Sequence, residues 1–338
     1  HRVKQMDFYY QILSSNSRKI YKSLVHGIES FQNSIFLPGC FSDEFLTQII
    51  RFVSYDHPEF FYVDFSKLAY LKAALGIKYQ PAYTGSLSQL KHKRECLQSQ
   101  AMGILSKMHA AGIETPYAKV RWIHNYLIRY IRYDYQSLQT PSQTAHNIAG
   151  VLQEKRAVCE GIAKTFLYLC NLEQIQAALM TGSANGGEMR LEGTSLHAWN
   201  LVCLDDIWYH IDCTFDLCQS QEVNANRYDY FCLSDADMMR DHTFENKVVC
   251  PSNDKSYFQQ THRSIKGPRE LKTFVRKALD AGQKILYFKL AGNISDQNAA
   301  LNRAVSVLQD TMMELGHLGG YRYSCNTAQG ILYFALMT

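Results

Sequence analysis

Hydrophobic and polar positions change period along this chain, and the changes mark its elements. Over residues 1–30 apolar side chains fall at Met6, Tyr9/Tyr10, Leu13, Ile20, Leu24 and Ile28, a helical spacing that the Ser14–Ser17 cluster interrupts. Ser42, followed by Asp43 and Glu44, supplies an N-cap and early acids for a helix running to about Ser54, and Asp56-His-Pro58 stops it. Residues 60–83 read as short aromatic-rich strands, and residues 87–111 return to helical periodicity before Gly112. Thr115 with Pro116 is a strong helix start. It opens a stripe of Val120, Ile123, Leu127 and Ile131, widened by Trp122, Tyr126 and Tyr130. A further helix places Ile162, Ala163, Phe166, Leu167, Leu169 and Cys170 on one apolar face, with Cys159 at or just before its first turn.

Around Asp205 and Asp206 the period shortens to two. Aromatic and β-branched runs on either side predict a hairpin with Leu204 facing Ile207. Continued outward, that register sets His197 opposite Thr214, with Asp212 and Asp216 as diagonal neighbours on the same face, about 7–8 Å away at Cα. Residues 182–196, rich in Gly and Ser, read as a loop leading into His197, where a groove wall would sit. Past Pro251 the pattern gives a helix at 268–281, a strand at 284–290, a helix at 296–315 and strands at 321–325 and 331–336. Three units follow: a helix/strand accessory region at 1–114, a core at 115–250 and a small αβαββ domain at 263–338.

Composition narrows the classes. The chain has 338 residues, 46% hydrophobic and 20% charged, with a formal charge of +4. No apolar run approaches the roughly 18 residues of a membrane span. The basic clusters at 91–94 and 263–277 read as solvated faces, so no nucleic-acid partner is expected. Ten cysteines without CxxC pairs favour reduced thiols in the cytoplasm. The chain begins at His1 rather than Met, and the reading expects that a tag or signal peptide was removed, which leaves secretion open. The oligomeric state is not legible. No metal-ligand spacing or calcium loop is visible, and no cofactor is expected.

Candidate chemistry centres on Cys159 and His197. A helix N-terminus favours thiolate over thiol, and an imidazole held by a carboxylate is a fitting base for it. Hairpin geometry leaves Asp212 and Asp216 both able to orient His197. Asp212 is expected inside the paired strand, and Asp216 at a solvent-screened strand exit.

Three stretches carry a family resemblance: Val-Cys159-Glu-Gly-Ile-Ala, His197-Ala-Trp-Asn-Leu-Val, and Trp-Tyr-His-Ile-Asp212-Cys-Thr-Phe-Asp. Together they resemble the catalytic core of the transglutaminase-like superfamily. The tail Tyr230-Phe-Cys-Leu-Ser-Asp235, followed by Asp241-His242, is similar to the bacterial branch. The likeness covers about residues 117–245. Ile162, Cys213 and Phe215 depart from the commoner family residues, and none of them removes a reacting group.

The resemblance implies an α+β, papain-like fold in which a helix bearing the cysteine packs on an antiparallel sheet bearing the histidine and aspartate. It implies a Cys159–His197–Asp212 catalytic triad and a thioester intermediate formed from an amide of a protein or peptide substrate. Bacterial members tilt the expectation towards a peptidase or amidase. An amine-accepting transglutaminase and a non-catalytic peptide- or cell-wall-binding protein are the alternatives. His146 and Gln153 are candidates for a second oxyanion donor beside the Cys159 N–H. Trp199, Glu188 and Arg190 are candidates for the substrate groove, with Glu192 a lesser one.

Overall fold

The computed structural model describes residues 7–140, 142–185, 194–292, 296–317 and 319–337. Its first helical stretch is two helices, α1 (Phe8–Ile12) and α2 (Ser15–Glu29), because the Ser14 side chain caps α2 by accepting the Ser17 N–H. The strand β1 (Ile35–Pro38) and the helix α3 (Asp43–Asp56) follow, then β2 (Tyr70–Ala73) and β3 (Gly76–Tyr79). The three strands pair antiparallel in the order β1-β3-β2, and α4 (Leu87–Ala110) closes the region. Asp56 ends α3 and accepts the N–H groups of Tyr9 and Tyr10 at 3.0 Å each and the Tyr21 hydroxyl at 2.8 Å. The turn expected at Asp56 is therefore also the tie that holds α1 and α2 to α3.

The central part runs α5 (Pro116–Tyr130), β4 (Arg132–Tyr133), β5 (Arg156–Ala157), α6 (Cys159–Leu172), β6 (Ala177–Asn185), β7 (Thr194–Leu204), β8 (Ile207–Ile211), α7 (Cys213–Val223), β9 (Phe231–Leu233), α8 (Asp235–Met238) and β10 (His242–Phe244). The antiparallel sheet has the order β10-β6-β7-β8-β9. Asp205 and Asp206 both take left-handed backbone angles (φ 52° and 63°), the two-residue turn that matches strand twist, and Leu204 pairs with Ile207 as expected.

Two expectations need correction here. The loop at 182–196 is shorter than its glycines suggest, since residues 182–185 continue β6 and residues 194–196 begin β7. Gly182 serves close packing rather than flexibility: a Cβ there would lie 2.3 Å from the Thr243 carbonyl oxygen on β10. The hairpin also ends earlier than drawn. Pairing stops at Asn200 with Ile211, and Thr214 lies in α7, so it does not face His197.

Helix α6 is buried on nearly all sides by Ile162, Ala163, Phe166, Leu167, Leu169 and Cys170, and each large apolar side chain contributes roughly 1.5–3 kcal/mol. Asn200 fastens it to the sheet, donating to the carbonyls of Ala163 (3.0 Å) and Ala178 (3.2 Å). This is the papain-like α+β arrangement: a central cysteine-bearing helix against an antiparallel sheet.

The remaining elements are α9 (Tyr257–Gln260), β11 (Ser264–Ile265), α10 (Pro268–Asp280), β12 (Ile285–Leu290), α11 (Gln297–Glu314), β13 (Tyr321–Asn326) and β14 (Ile331–Leu336). Their sheet has the order β11-β12-β14-β13, and α10 and α11 pack through Leu271, Val275, Leu301 and Leu308. Buried polar contacts join it to the centre. Arg227 forks onto Asp229 at 2.9 and 2.7 Å, and Asp229 also accepts the Tyr287 hydroxyl at 2.6 Å. Among the described residues, no helix is long and apolar enough to cross a membrane. The ten cysteines are free thiols.

Candidate active site

Cys159 is the first residue of α6. The preceding Val158 offers no side-chain cap, and the first intrahelical bond closes from Ile162 N–H to the Val158 carbonyl. The amides of the first turn are thus left facing outward at the positive end of the helix. Gly161 permits this placement. A Cβ there would lie 2.3 Å from the Ala145 carbonyl oxygen, which itself accepts the Val158 N–H at 3.1 Å.

His197, on β7, is almost fully buried and sits between two kinds of partner. Its Nε2 meets Asp212 Oδ2 at 2.6 Å. Its Nδ1 is buried without a conventional partner, and Cys159 is near enough to act on the ring electrostatically. Burial opposes charge on the imidazole, but the Asp212 carboxylate and then Cys159 outweigh it and push the ring up to about 10.

Asp212 follows the last residue of β8 and is the N-cap of α7. Its Oδ1 accepts the N–H groups of Thr214 (2.8 Å) and Phe215 (3.1 Å). Its Oδ2 is shared between His197 and His242, whose Nε2 lies 3.2 Å away. Burial would raise this carboxyl, yet the two imidazoles hold it well below its ordinary range.

Asp216 is elsewhere. It is wholly buried rather than solvent-screened, accepting from His124 Nε2 at 2.8 Å and from Tyr230 N–H at 3.1 Å. One helical turn past the cap, it points to α5 rather than to His197.

The other expected residues divide. Trp199 cannot line an open groove: it is 1% exposed, its ring stacks on His197 at 5.8 Å, and its indole N–H donates to His210 Nδ1 at 3.0 Å. It is a wall behind the imidazole. His146 is half-exposed and bonded through Nδ1 to Glu160 Oε2 at 3.0 Å. Lys164 meets the other Glu160 oxygen at 2.7 Å, and despite burial these partners hold Glu160 down at about 2. Gln153 lies exposed on a π-helical turn (Gly150–Glu154), and no described contact joins it to Cys159 or His197. Glu188, Arg190 and Glu192 lie outside the described residues. A cleft of about 460 Å³ opens beside the first turn of α6, lined by Phe60, Phe61, Phe65, His146, Glu160 and Lys164 among others.

Three groups escape a reading of the chain. His124 hides in an apolar helix stripe between Ile123 and Leu127. Tyr133 lies on β4, past the end of α5, paired with Ala157 just before Cys159. Burial raises its phenol, and nearby Cys159 raises it further. His242 is visible only as part of a tail motif, without a partner to give it a role.

Two sets of side chains bring ligand-type atoms within 4.8 Å of one another: His197, Asp212 and His242, and His210, Asp235 and Cys250. In both, hydrogen bonds already occupy the gaps. His210 accepts from Trp199 at Nδ1, which leaves its Nε2–H for Asp235 at 2.8 Å. Burial, with Asp235 beside it, keeps the Cys250 thiol high and protonated.

Comparison with known proteins gives matches over part of the chain. A family model described as the transglutaminase-like superfamily matches residues 105–213. The chain is 26% identical over 138 residues to mouse kyphoscoliosis peptidase, covering 38% of this chain and 21% of that protein. The human protein of the same name is 27% identical over 142 residues, covering 39% and 22%. These matches take in about a fifth of the length of either relative. A solved structure described as that of a TGase is 16% identical, covers 44% of each chain and superposes with a TM-score of 0.31. Over residues 105–213 the chain thus resembles the transglutaminase-like superfamily.

Proposed function

We propose that the chain is a cysteine-dependent acyl-transfer enzyme acting on peptide or side-chain amide bonds, as a peptidase or amidase-type hydrolase. One observation carries this: a buried imidazole is fixed through Nε2 by Asp212 at 2.6 Å with its Nδ1 unpartnered, and a cysteine at a helix N-terminus is near enough to raise it. A ring raised in that way holds the thiol proton and leaves the sulfur as a thiolate beside an imidazolium.

In this reading Cys159 Sγ attacks the amide carbonyl carbon as a thiolate, its proton already held on His197 Nδ1. The oxygen that gains charge is met by first-turn amides of α6. His197 returns the proton to the leaving nitrogen as the C–N bond breaks, leaving a thioester on Cys159. Water, deprotonated by the same imidazole, releases the acid and restores the thiol. Asp212 keeps its charge throughout and steadies the imidazolium. The peptidase named among the relatives supports water over an amine as the acceptor. The flanking regions at 1–114 and 263–338 are read as accessory units around this centre.

The test is a peptide library incubated with the full chain and with Cys159→Ala, in the presence of a primary amine, and read by mass spectrometry. Peptides cleaved or deamidated only by the wild type support hydrolysis. Amine adducts in their place would move the reading to transamidation. Identical spectra for both proteins would overturn it.

A further inference from the structure

We propose that His242 is a positioning residue: a doubly protonated ring, clamped between Asp212 and Asp241, that shares Asp212 with His197 and limits how tightly that carboxylate holds it. The inference rests on the acyl-transfer reading, and it concerns residues beyond the 105–213 family match.

The hydrogen-bond inventory carries it. His242 Nδ1 lies 2.6 Å from Asp241 Oδ1, and its Nε2 lies 3.2 Å from Asp212 Oδ2. Both oxygens belong to carboxylates that act as acceptors at their other contacts. Asp212 Oδ1 takes two backbone N–H groups, and Asp241 Oδ2 takes the Tyr230 hydroxyl at 2.6 Å. Neither carboxylate has a contact that calls for it to donate, so the ring between them must donate from both nitrogens. The site is dry, with His242 2% exposed and packed against Trp199, Phe215 and Tyr230. Pairing of β10 with the β6 edge brings it there, His242 opposite Ala184. The outer end is fixed as well. Gln329, buried in the turn between β13 and β14, donates to the Asp237 carbonyl at 3.0 Å and approaches Asp241 Oδ2 at 3.4 Å.

The titratable groups around His242 are Asp212, Asp241, His197, His210 and Tyr230. Burial disfavours charge on it, and the two carboxylates overcome that. Its effect on His197 follows from placement. The two rings are 5.5 Å apart, and both lean on one Asp212 oxygen. An unshared carboxylate would hold a proton on His197 more firmly. A cation on the same oxygen weakens that hold, which suits a ring that must give its proton to a leaving nitrogen.

The experiment is a ¹⁵N-imidazole NMR titration of the full chain carrying Cys159→Ala, which removes the thiol's own influence, with and without His242→Gln. The expected spectrum has both His242 nitrogens protonated through neutral pH. The His197 midpoint should rise in His242→Gln by about two pH units, the size of a lost unit charge at this separation with an effective dielectric near ~20. A His242 midpoint near the ordinary value, or a His197 midpoint that stays or falls, overturns the proposal. If His242→Gln does not fold, Asp241→Asn keeps the ring and removes one clamp. It should lower the His242 midpoint and raise that of His197 above neutral pH, and unchanged midpoints overturn the proposal. Iodoacetamide labelling of the unmodified chain separates the two claims. Slow labelling of Cys159 counts against the acyl-transfer reading, whereas fast labelling with unmoved midpoints counts against His242 alone.

Discussion

Asp216 accepts a hydrogen bond from His124 at 2.8 Å with both side chains fully buried, and this pairing leaves Asp212 as the carboxylate that meets His197. The two aspartates lie four residues apart, yet Asp212 closes β8 and caps α7 beside His197, while Asp216, one turn on, reaches α5. Asp212→Asn should therefore lower turnover by as much as about 10⁴-fold while the fold persists, because the amide favours the wrong imidazole tautomer. Asp216→Asn should cost less than about tenfold. Asp216→Ala should instead lower stability by roughly 2–4 kcal/mol by orphaning the buried donors of His124 and Tyr230. Turnover and denaturant midpoints for the three variants separate these roles. A larger kinetic loss for Asp216→Asn would contradict the assignment.

Gly161 is a second checkpoint. Helix propensity alone says that Gly161→Ala should stabilise α6 by up to about 1 kcal/mol. The Ala145 carbonyl oxygen, 2.3 Å from the added carbon, says otherwise. Backbone on backbone cannot yield cheaply, so a net loss of about 1–3 kcal/mol is expected, with slower alkylation of Cys159 as the first turn shifts. Urea denaturation with iodoacetamide labelling checks both. A more stable and equally reactive variant would contradict the packing argument.

The dependence of stability on pH has two limbs. Glu160 and Asp212 have folded-state values below their ordinary ones, so their stabilisation is complete above about pH 4.5 and lost as pH falls towards 2. His197, raised to about 10, and His242, raised by its two carboxylates, contribute stability that is complete below about 6.5 and lost as pH climbs through their folded values. Asp56, pushed up to about 7 by burial, lowers stability separately as pH rises from its ordinary value of 3.8 to 7, and changes little above that. The denaturation midpoint should thus fall across pH 6.5–10, and His242→Gln should flatten that fall. A midpoint constant over that range in the wild type would contradict the site electrostatics.

Most of the architecture is legible in the chain because periodicity reports which face a helix or strand buries. The α6 stripe, the Leu204–Ile207 register and the 268–336 element order follow from local pattern. What escapes is non-local. Gly182 reads as loop chemistry, but its meaning is a carbonyl on β10, some sixty residues away. Trp199 reads as a groove residue because aromatic side chains suit grooves, whereas its indole N–H is matched to His210 inside the sheet. A strand pattern run on through Asp212 misplaces Asp216, since a carboxylate that ends a strand also starts a helix by capping it. His124 and His242 acquire roles only from partners brought by tertiary packing.

The central claim is that Cys159 and His197 act as one chemical unit, and iodoacetamide kinetics test it most directly. Rate constants for all ten cysteines, resolved by peptide mass spectrometry, should rank Cys159 first, ahead of the exposed Cys40 and Cys325. His197→Ala should slow Cys159 alone by tenfold or more, on the order of the contribution of a positioned base. A Cys159 that labels no faster than Cys40, or at the same rate without His197, would contradict the account.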